Sequence, residues 1–297
     1  MKWLGIPWTV VALLGTATAF IVGFQNVQSY NRTWEARQIW GDIISSSRAW
    51  GTMGRDYFDD AEKSRELVYR HLAWLTALRY QLRETRVWES ASKAHNAEYF
   101  RYYSIPEMHT PLETELAKLL PDAEVAQVLA AGSKATRILG LQSRAIKGLL
   151  SSQAIVVAQF IDMHRSIKDF LFQQGRCERI KNFPYPRQFA SINSFFIKLF
   201  CLLLPFGLLR EFDRLNESVE GAIKGHMVWL AIPFSVLISW MYTSLGRVGE
   251  STESPFEGSA NDVPISHMCR AAEIDLREML GETDLPAPLE PQNNIVL

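Results

Sequence analysis

The sequence predicts an all-α, multi-helix membrane protein with a large helical cytosolic portion. Three observations predict it. The stretch Trp3 to Asn31, WLGIPWTVVALLGTATAFIVGFQNVQSYN, contains no Asp, Glu, Lys, Arg or His, and its first part is apolar enough to cross a bilayer, which takes roughly 20 residues of helix. Two later stretches, Phe195 to Leu209 and Gly225 to Gly246, are similarly apolar. Between the first and second of these stretches, DYFDDAEKSRELVYRHLAWLTALRYQLRETR (Asp56 to Arg86) places Leu67, Trp74, Leu75 and Leu78 at helical spacing, with Arg and Glu on its other faces. That is the pattern of a soluble amphipathic helix.

The first segment has two rival readings. Lys2, the apolar Val10 to Leu14 and Ala17-Thr18-Ala19 resemble a secretory signal with a cleavage site. The later apolar segments weigh against that, because a soluble secreted protein does not need them. A buried core helix is the other rival. Pro7 suits a helix first turn, where its missing N–H costs nothing. Gly15, Gly23 and the small residues of 15–19 leave surfaces where other helices can approach closely. Phe20 and Phe24 are four apart and share one face.

Composition bounds the remainder. The chain has 297 residues, enough for one large domain or two. Its 31 basic and 32 acidic residues nearly cancel, which removes any global electrostatic argument for nucleic acid. Hydrophobic residues make up 47%, the high end for a soluble domain. Cys177, Cys201 and Cys269 are widely separated and form no C-x-x-C, so no disulfide framework or thiol chemistry is expected.

Taken in order, Arg32 to Trp50 reads as a polar helix continuing the first span. Trp34, Glu35, Arg37, Ile39 and Trp40 bring charge and large aromatics together, and Ser45-Ser46-Ser47 weakens the pattern. Ser90 to Leu120 is less regular, with a helix start at Pro111-Leu112 ahead of Glu113 and Glu115. Asp122 to Phe172 reads as a long helical region broken near Gly132, Gly140 or Gly148. Pro184 and Pro186 make a joint. The second apolar segment is short unless extended back to Phe189, and Arg210 to Lys224 reads as a polar connection. In the third, Pro233 is tolerated where neighbouring helices resatisfy the backbone. Arg247 to Pro264 reads as a loop, Ile265 to Leu280 as a short amphipathic helix, and the tail from Gly281 as extended.

The expected divisions are 1–31, a transmembrane helix; 32–185, a mainly cytosolic helical region; 186–246, two further spans; and 247–297, a cytosolic loop, helix and tail. Arg and Lys concentrate between the first and second spans. The positive-inside tendency therefore places the bulk of the chain and its C-terminus in the cytoplasm, in a multi-pass inner (plasma) membrane protein.

Residues that could carry chemistry are few. The six histidines, His71, His95, His109, His164, His226 and His267, form no ligand spacing. There is no P-loop, G-x-G-x-x-G or G-x-S-x-G. The expectation is a protein that is not an enzyme and has no cofactor. Trp34, Glu35 and Arg37 read as an interface anchor with a charge pair, or alternatively as groups that attract ions. Glu250, Glu253, Glu257 and Asp262 bracket Pro255-Phe256. Oxygen ligands of this kind can hold Ca²⁺, but these are sparse and separated by Ser and Gly, and the reading is a solvated loop without a metal.

Several segments together resemble the bestrophin family of pentameric ion channels, in its bacterial branch. They are Ile6-Pro7, GFQNVQSYNRTWEARQIWG at Gly23 to Gly41, CERIKNFPYP at Cys177 to Pro186, CLLLPFGL at Cys201 to Leu208 and ESTESPFEGSANDVPI at Glu250 to Ile265. They run in family order, and they include Trp34, Glu35, Arg37, Pro184, Pro186, Pro255 and Phe256. The resemblance implies a homopentamer around one pore lined by the first helix. It implies a hydrophobic neck at Thr16, Phe20 and Phe24, where stacked phenyl rings can gate by dewetting. A second, cytosolic constriction falls within Ala154 to Phe160, at Ala154, Val157 or Ala158.

The implied partners are further copies of the chain, membrane lipids and permeant ions, with no nucleic acid. Chloride or other monovalent anions are the expected cargo; a monovalent-cation channel of the same fold and a non-conducting membrane scaffold are the alternatives. Three features depart from the family pattern. The family has a membrane helix upstream of Ile-Pro, so a truncated chain or a misassigned start is expected. Thr16 stands where a bulky apolar residue is usual, which makes the outermost ring wider and wetter. The dense acidic run of calcium-activated relatives is replaced by GSANDVP after Glu257.

Overall fold

The computed structural model describes residues 6–297 except 91, 92, 222 and 223. The first part of the expected span, Trp3 to Gly5, and the basic Lys2 lie outside the described residues, as does the side chain of His95. Among the described residues there is no β-strand, and Gln292 pairs with Ile295 in an isolated bridge. Helices α1 (Trp8–Asp56), α2 (Ala61–Arg83), α3 (Ala94–Ala97), α4 (Pro106–His109), α5 (Leu112–Leu116) and α6 (Asp122–Leu129) are followed by α7 (Lys134–Ser151), α8 (Val157–Asn182), α9 (Arg187–Ser218), α10 (Ala231–Ser251) and α11 (Ile265–Met279). Three helical stretches are long and apolar enough to cross a membrane: Trp8–Asp56, Gln188–Ser218 and Met227–Ser251.

The chain divides into two compact units. One comprises residues up to Arg32 together with Pro184–Glu253, and the other comprises Thr33–Phe183 and Ser254–Leu297. The first is built from the N-terminal part of α1 with α9 and α10. Its helices approach through glycines, the residues that let backbones come close inside a bilayer. A Cβ on Gly15 of α1 would lie 2.7 Å from the Phe200 ring of α9. One on Gly207 of α9 would lie 2.9 Å from Val11, and one on Gly246 of α10 would lie 2.8 Å from Ile197. Phe200 stacks at 4.6 Å on Tyr242, whose hydroxyl donates to the Gly15 carbonyl at 3.1 Å. The Thr16 and Thr18 hydroxyls donate to the carbonyls one turn back at 2.9 and 2.7 Å, which satisfies them without water.

The second unit buries one large core. Trp40, Trp50, Trp74 and Phe170 are fully enclosed, with Trp74 and Phe170 at 5.0 Å and Trp50 meeting Phe170 edge-on at 5.8 Å. His71 sits among them, held to Ser47 at 2.9 Å, and burial pushes its pKa down to about 3, so it stays neutral. Asp60 caps α2 by accepting from the Glu62 and Lys63 amides.

Several expected boundaries are corrected. The first helix does not end near Trp50 but runs unbroken to Asp56, and Ser45 and Ser47 stay helical by donating to carbonyls one turn back. The Asp122–Phe172 region breaks at 130–133, beside Gly132, and again at 152–156, whereas Gly140 and Gly148 lie inside α7. Arg210 to Ser218 is helix rather than connection, because α9 carries on past its apolar part. Likewise α10 continues through Arg247 to Ser251.

Most consequentially, α2 is polar and exposed only in its first turns, at Glu62, Lys63, Arg65 and Glu66, and is largely enclosed beyond them. Arg70, Arg79 and Arg83 are buried and matched: Arg70 to Glu66 and Glu124 at 2.7 and 2.6 Å, and Arg79 to Glu107 at 2.9 Å. The tail is extended and also fastened. The His267 amide donates to the Leu297 carbonyl at 2.6 Å, Arg277 to that of Asp284 at 2.6 Å, and Asn293 to that of Tyr102 at 2.6 Å.

Candidate pore helix and its surrounding motifs

Each residue of an α-helix turns the side-chain direction by about 100°. On that wheel the first part of α1 divides cleanly. Val11, Gly15, Thr18, Val22, Gln25 and Ser29 fall on one side and are buried against the rest of their unit. Thr16, Phe20 and Phe24 fall on the opposite side and are exposed on the isolated chain, Phe20 by 81% and Phe24 by 54%. Leu13, Ala17, Val27 and Tyr30 join them. This exposed face carries no charge from Val10 to Asn31. An apolar face of this length is left uncovered only where lipid, another chain or a hydrophobic constriction meets it.

The sequence-predicted cytosolic constriction lies elsewhere. Ala154 sits in the break between α7 and α8, next to Gln153 with φ 58°, while Val157 and Ala158 form the first turn of α8. All three side chains are exposed. Ile161 and Phe172 continue the apolar face of α8.

The motif around Trp34 resolves into separate roles. Trp34 is half-exposed, and Arg37 is exposed. Glu35 pairs with Arg179 of α8 at 2.5 Å, so the charge pair is interhelical. Pro184 and Pro186 separate α8 from α9, with Pro186 immediately ahead of the first turn.

The loop after α10 overturns the expectation of a solvated segment. Pro255, Phe256, Glu257 and Asp262 are buried, and only Glu250 and Glu253 of the four acids are partly open. The Val263 amide donates back to the Pro255 carbonyl at 3.2 Å. Glu257 accepts from the Ser90 amide and hydroxyl, both at 2.9 Å. Asp262 accepts from the Gly258 amide at 2.6 Å and from the Ser259 hydroxyl at 2.5 Å, and it faces Arg83 at 3.4 Å. Gly258 has φ +95°, which lets the chain turn so that its amide reaches Asp262.

Burial raises Glu257 to about 7, reinforced by the Asp262 charge and opposed by the Ser90 bonds. Burial also raises Asp262 to about 6, against the pull of Arg83 and the Ser259 and Gly258 bonds. These acids are therefore bound by the protein's own donors. The sequence reading missed Arg83, Glu107, Ser90 and the buried Lys181–Glu89 pair. One available signal was the apolar run of α2 from Leu67 to Leu82, which lies on more than one face of the helix and so leaves Arg70 and Arg79 no solvent side to share.

The comparisons agree with this architecture. A family model described as "Bacterial/Fungal Bestrophin protein" matches residues 1–278. Among curated relatives, the voltage-dependent anion channel-forming protein YneE of Escherichia coli (strain K12) is 29% identical over 99% of this chain and 84% of its own. YneE of Salmonella typhi is 28% identical over the same shares, 99% and 84%. A crystal structure of a bacterial bestrophin homolog from Klebsiella pneumoniae superposes with a TM-score of 0.77 at 27% identity, covering 93% of this chain and 88% of that one. Whole-length agreement in both sequence and fold decides the assignment: this chain belongs to the bacterial and fungal bestrophin family.

Proposed function

We propose that the protein is a membrane ion channel in which copies of α1 surround a shared axis, and that it passes monovalent anions, chloride among them. The observation that carries this is the division of α1. One side is packed into its own unit, and the opposite side, with Thr16, Phe20 and Phe24, is apolar, uncharged and uncovered. Five copies with those faces turned inward make a narrow apolar neck, where conduction depends on whether water fills it. Thr16 gives the outer ring a smaller side chain, and the phenyl rings form the tighter part.

The anion assignment is supported by the names of the curated relatives, which are called voltage-dependent anion channel-forming proteins. Val157 and Ala158, with Ala154 just before them, are the residues that a second constriction would use. The excess of basic residues between the first two spans supports a cytoplasmic bulk and C-terminus in an inner-membrane protein. No metal takes part in this reading, because Glu257 and Asp262 already have protein donors and Arg83 for partners.

Purified protein in liposomes under asymmetric KCl tests the proposal. The expected reversal potential lies towards the chloride equilibrium potential. A value towards potassium replaces the anion reading with the monovalent-cation one. No flux at all favours a membrane scaffold.

A further inference from the structure

Gln25 and Ser29 of α1 are polar side chains on the packed side of the helix, and both are buried, Gln25 at 3% and Ser29 at 1% exposure. They lie on the side of the helix opposite Phe20. Their neighbours are specific. Asn193 of α9, itself 4% exposed, donates its amide Nδ2 to Gln25 Oε1. One residue on, the Asn26 carbonyl oxygen is set against α10 at Gly249. A Cβ there would run into Asn26 Oδ1 and come 3.5 Å from Gln25 Cγ. Two consecutive amides of α1 are thus gripped from two sides, by a hydrogen bond from α9 and by the bare backbone of α10.

The position of this grip matters more than its strength. Gln25 directly follows Phe24, so whatever fixes the azimuth of Gln25 fixes that of the phenyl ring, about 100° round the helix. The grip also has somewhere else to go. Asn26 Oδ1, Asn193 Oδ1 and Ser29 Oγ are buried without a hydrogen-bond partner. Ser29 lies one turn beyond Gln25 on the same side, which offers the Asn193 amide a second acceptor. Discrete alternative pairings of this kind are what make a packed interface switch between states rather than deform smoothly.

We propose that the Gln25–Asn193 pair, seated beside Asn26 on Gly249, is a latch that sets the rotation of the pore helix. In this proposal Gln25 and Asn193 are positioning residues that act through Phe20 and Phe24. When the latch re-pairs, α1 turns and the phenyl rings swing relative to the axis. The inference rests on the reading of α1 as the pore-lining helix.

The test places a thiol at the neck, Phe24→Cys, in full-length protein reconstituted in liposomes. It compares the rate of modification by a membrane-impermeant methanethiosulfonate in three further backgrounds: Gln25→Leu, Asn193→Ala, and the exchanged pair Gln25→Asn with Asn193→Gln. Protein lacking Phe24→Cys supplies the background from Cys177, Cys201 and Cys269. The two latch-breaking variants remove the same bond from opposite helices, so one that fails to fold leaves the other to decide. The expected result is a rate changed at least fivefold by each, and restored to within twofold by the exchanged pair. Rates within twofold of the parent in both variants overturn the latch while leaving the pore. A Phe24→Cys thiol never reached from water in any background overturns the pore reading and the latch with it.

Discussion

Glu257 is a carboxyl whose charge the fold resists. Its folded pKa of about 7 stands above the ordinary 4.5, because burial disfavours the anion and Asp262 lies close by. A raised acid binds its proton more tightly in the native state than in the unfolded chain. Its stabilising contribution is therefore complete below about pH 4.5 and lost as the pH rises through 7, by up to roughly 3 kcal/mol. Glu257→Gln keeps the acceptor for Ser90 but carries no charge at any pH. Its melting temperature relative to the native protein should rise between pH 5 and pH 8; an equal difference at the two pH values contradicts the assignment.

Arg83 is the converse case. It faces Glu107 at 3.8 Å and Asp262 at 3.4 Å, with all three side chains almost wholly enclosed. Arg83→Met leaves buried Asp262 without its cation and Glu107 with Arg79 alone, a change that costs about 3–5 kcal/mol when a buried pair is broken. A melting temperature lowered by less than 2 °C would show that the pair is idle. Neither effect was legible in the sequence. The Ser- and Gly-rich spacing around Glu257 looks solvated until Ser90, 167 positions away along the chain, is seen to supply its donors.

At the scale of the element, the glycines divide into two kinds that sequence does not separate. Gly140 and Gly148 look like helix breakers, yet both lie within α7 with nothing within 4 Å of a Cβ. Replacing either by Ala should therefore stabilise the protein by about 0.5–1 kcal/mol, the difference in helix propensity. Gly207 is different, because there a Cβ would come 2.9 Å from Val11 and 3.3 Å from Trp8. Gly207→Ala should cost about 1–3 kcal/mol from overpacking despite the same gain in propensity. Adding Val11→Ala should return part of that loss, a coupling that thermal unfolding in detergent can measure. If Gly207→Ala melts no lower than Gly148→Ala, the close approach of α9 to α1 is wrong.

The three spans were legible because apolar length is a one-dimensional signal. Their polar continuations in α1, α9 and α10 were not, because a helix does not stop where its hydrophobicity does. Only caps and prolines stop it, and the joint at Pro184 and Pro186 was read correctly for that reason.

At the scale of the molecule, ordered motifs made the family legible, and the match over residues 1–278 bears it out. The assembly is a different matter, since one chain shows only the faces it leaves bare. Besides the outer side of α1, there is such a face on α8. Val157, Ile161 and Phe172 fall within a narrow sector at about 100° per residue, and they are 62%, 44% and 68% exposed. Burying a large apolar side chain is worth about 1.5–3 kcal/mol relative to leaving it in water, so a row of three has reason to be covered by another copy.

A substitution there separates two cases. In a protein that works as a monomer, Phe172→Glu replaces an exposed ring with a charge and should change nothing beyond about 0.5 kcal/mol. In a pentamer with α8 at the subunit contact, five charges enter one apolar ring. Light scattering in detergent should then show the mass falling from five chains towards one, with helicity retained. A pentamer indifferent to Phe172→Glu would move the contact off α8, and a native monomer would remove the shared axis on which the neck depends.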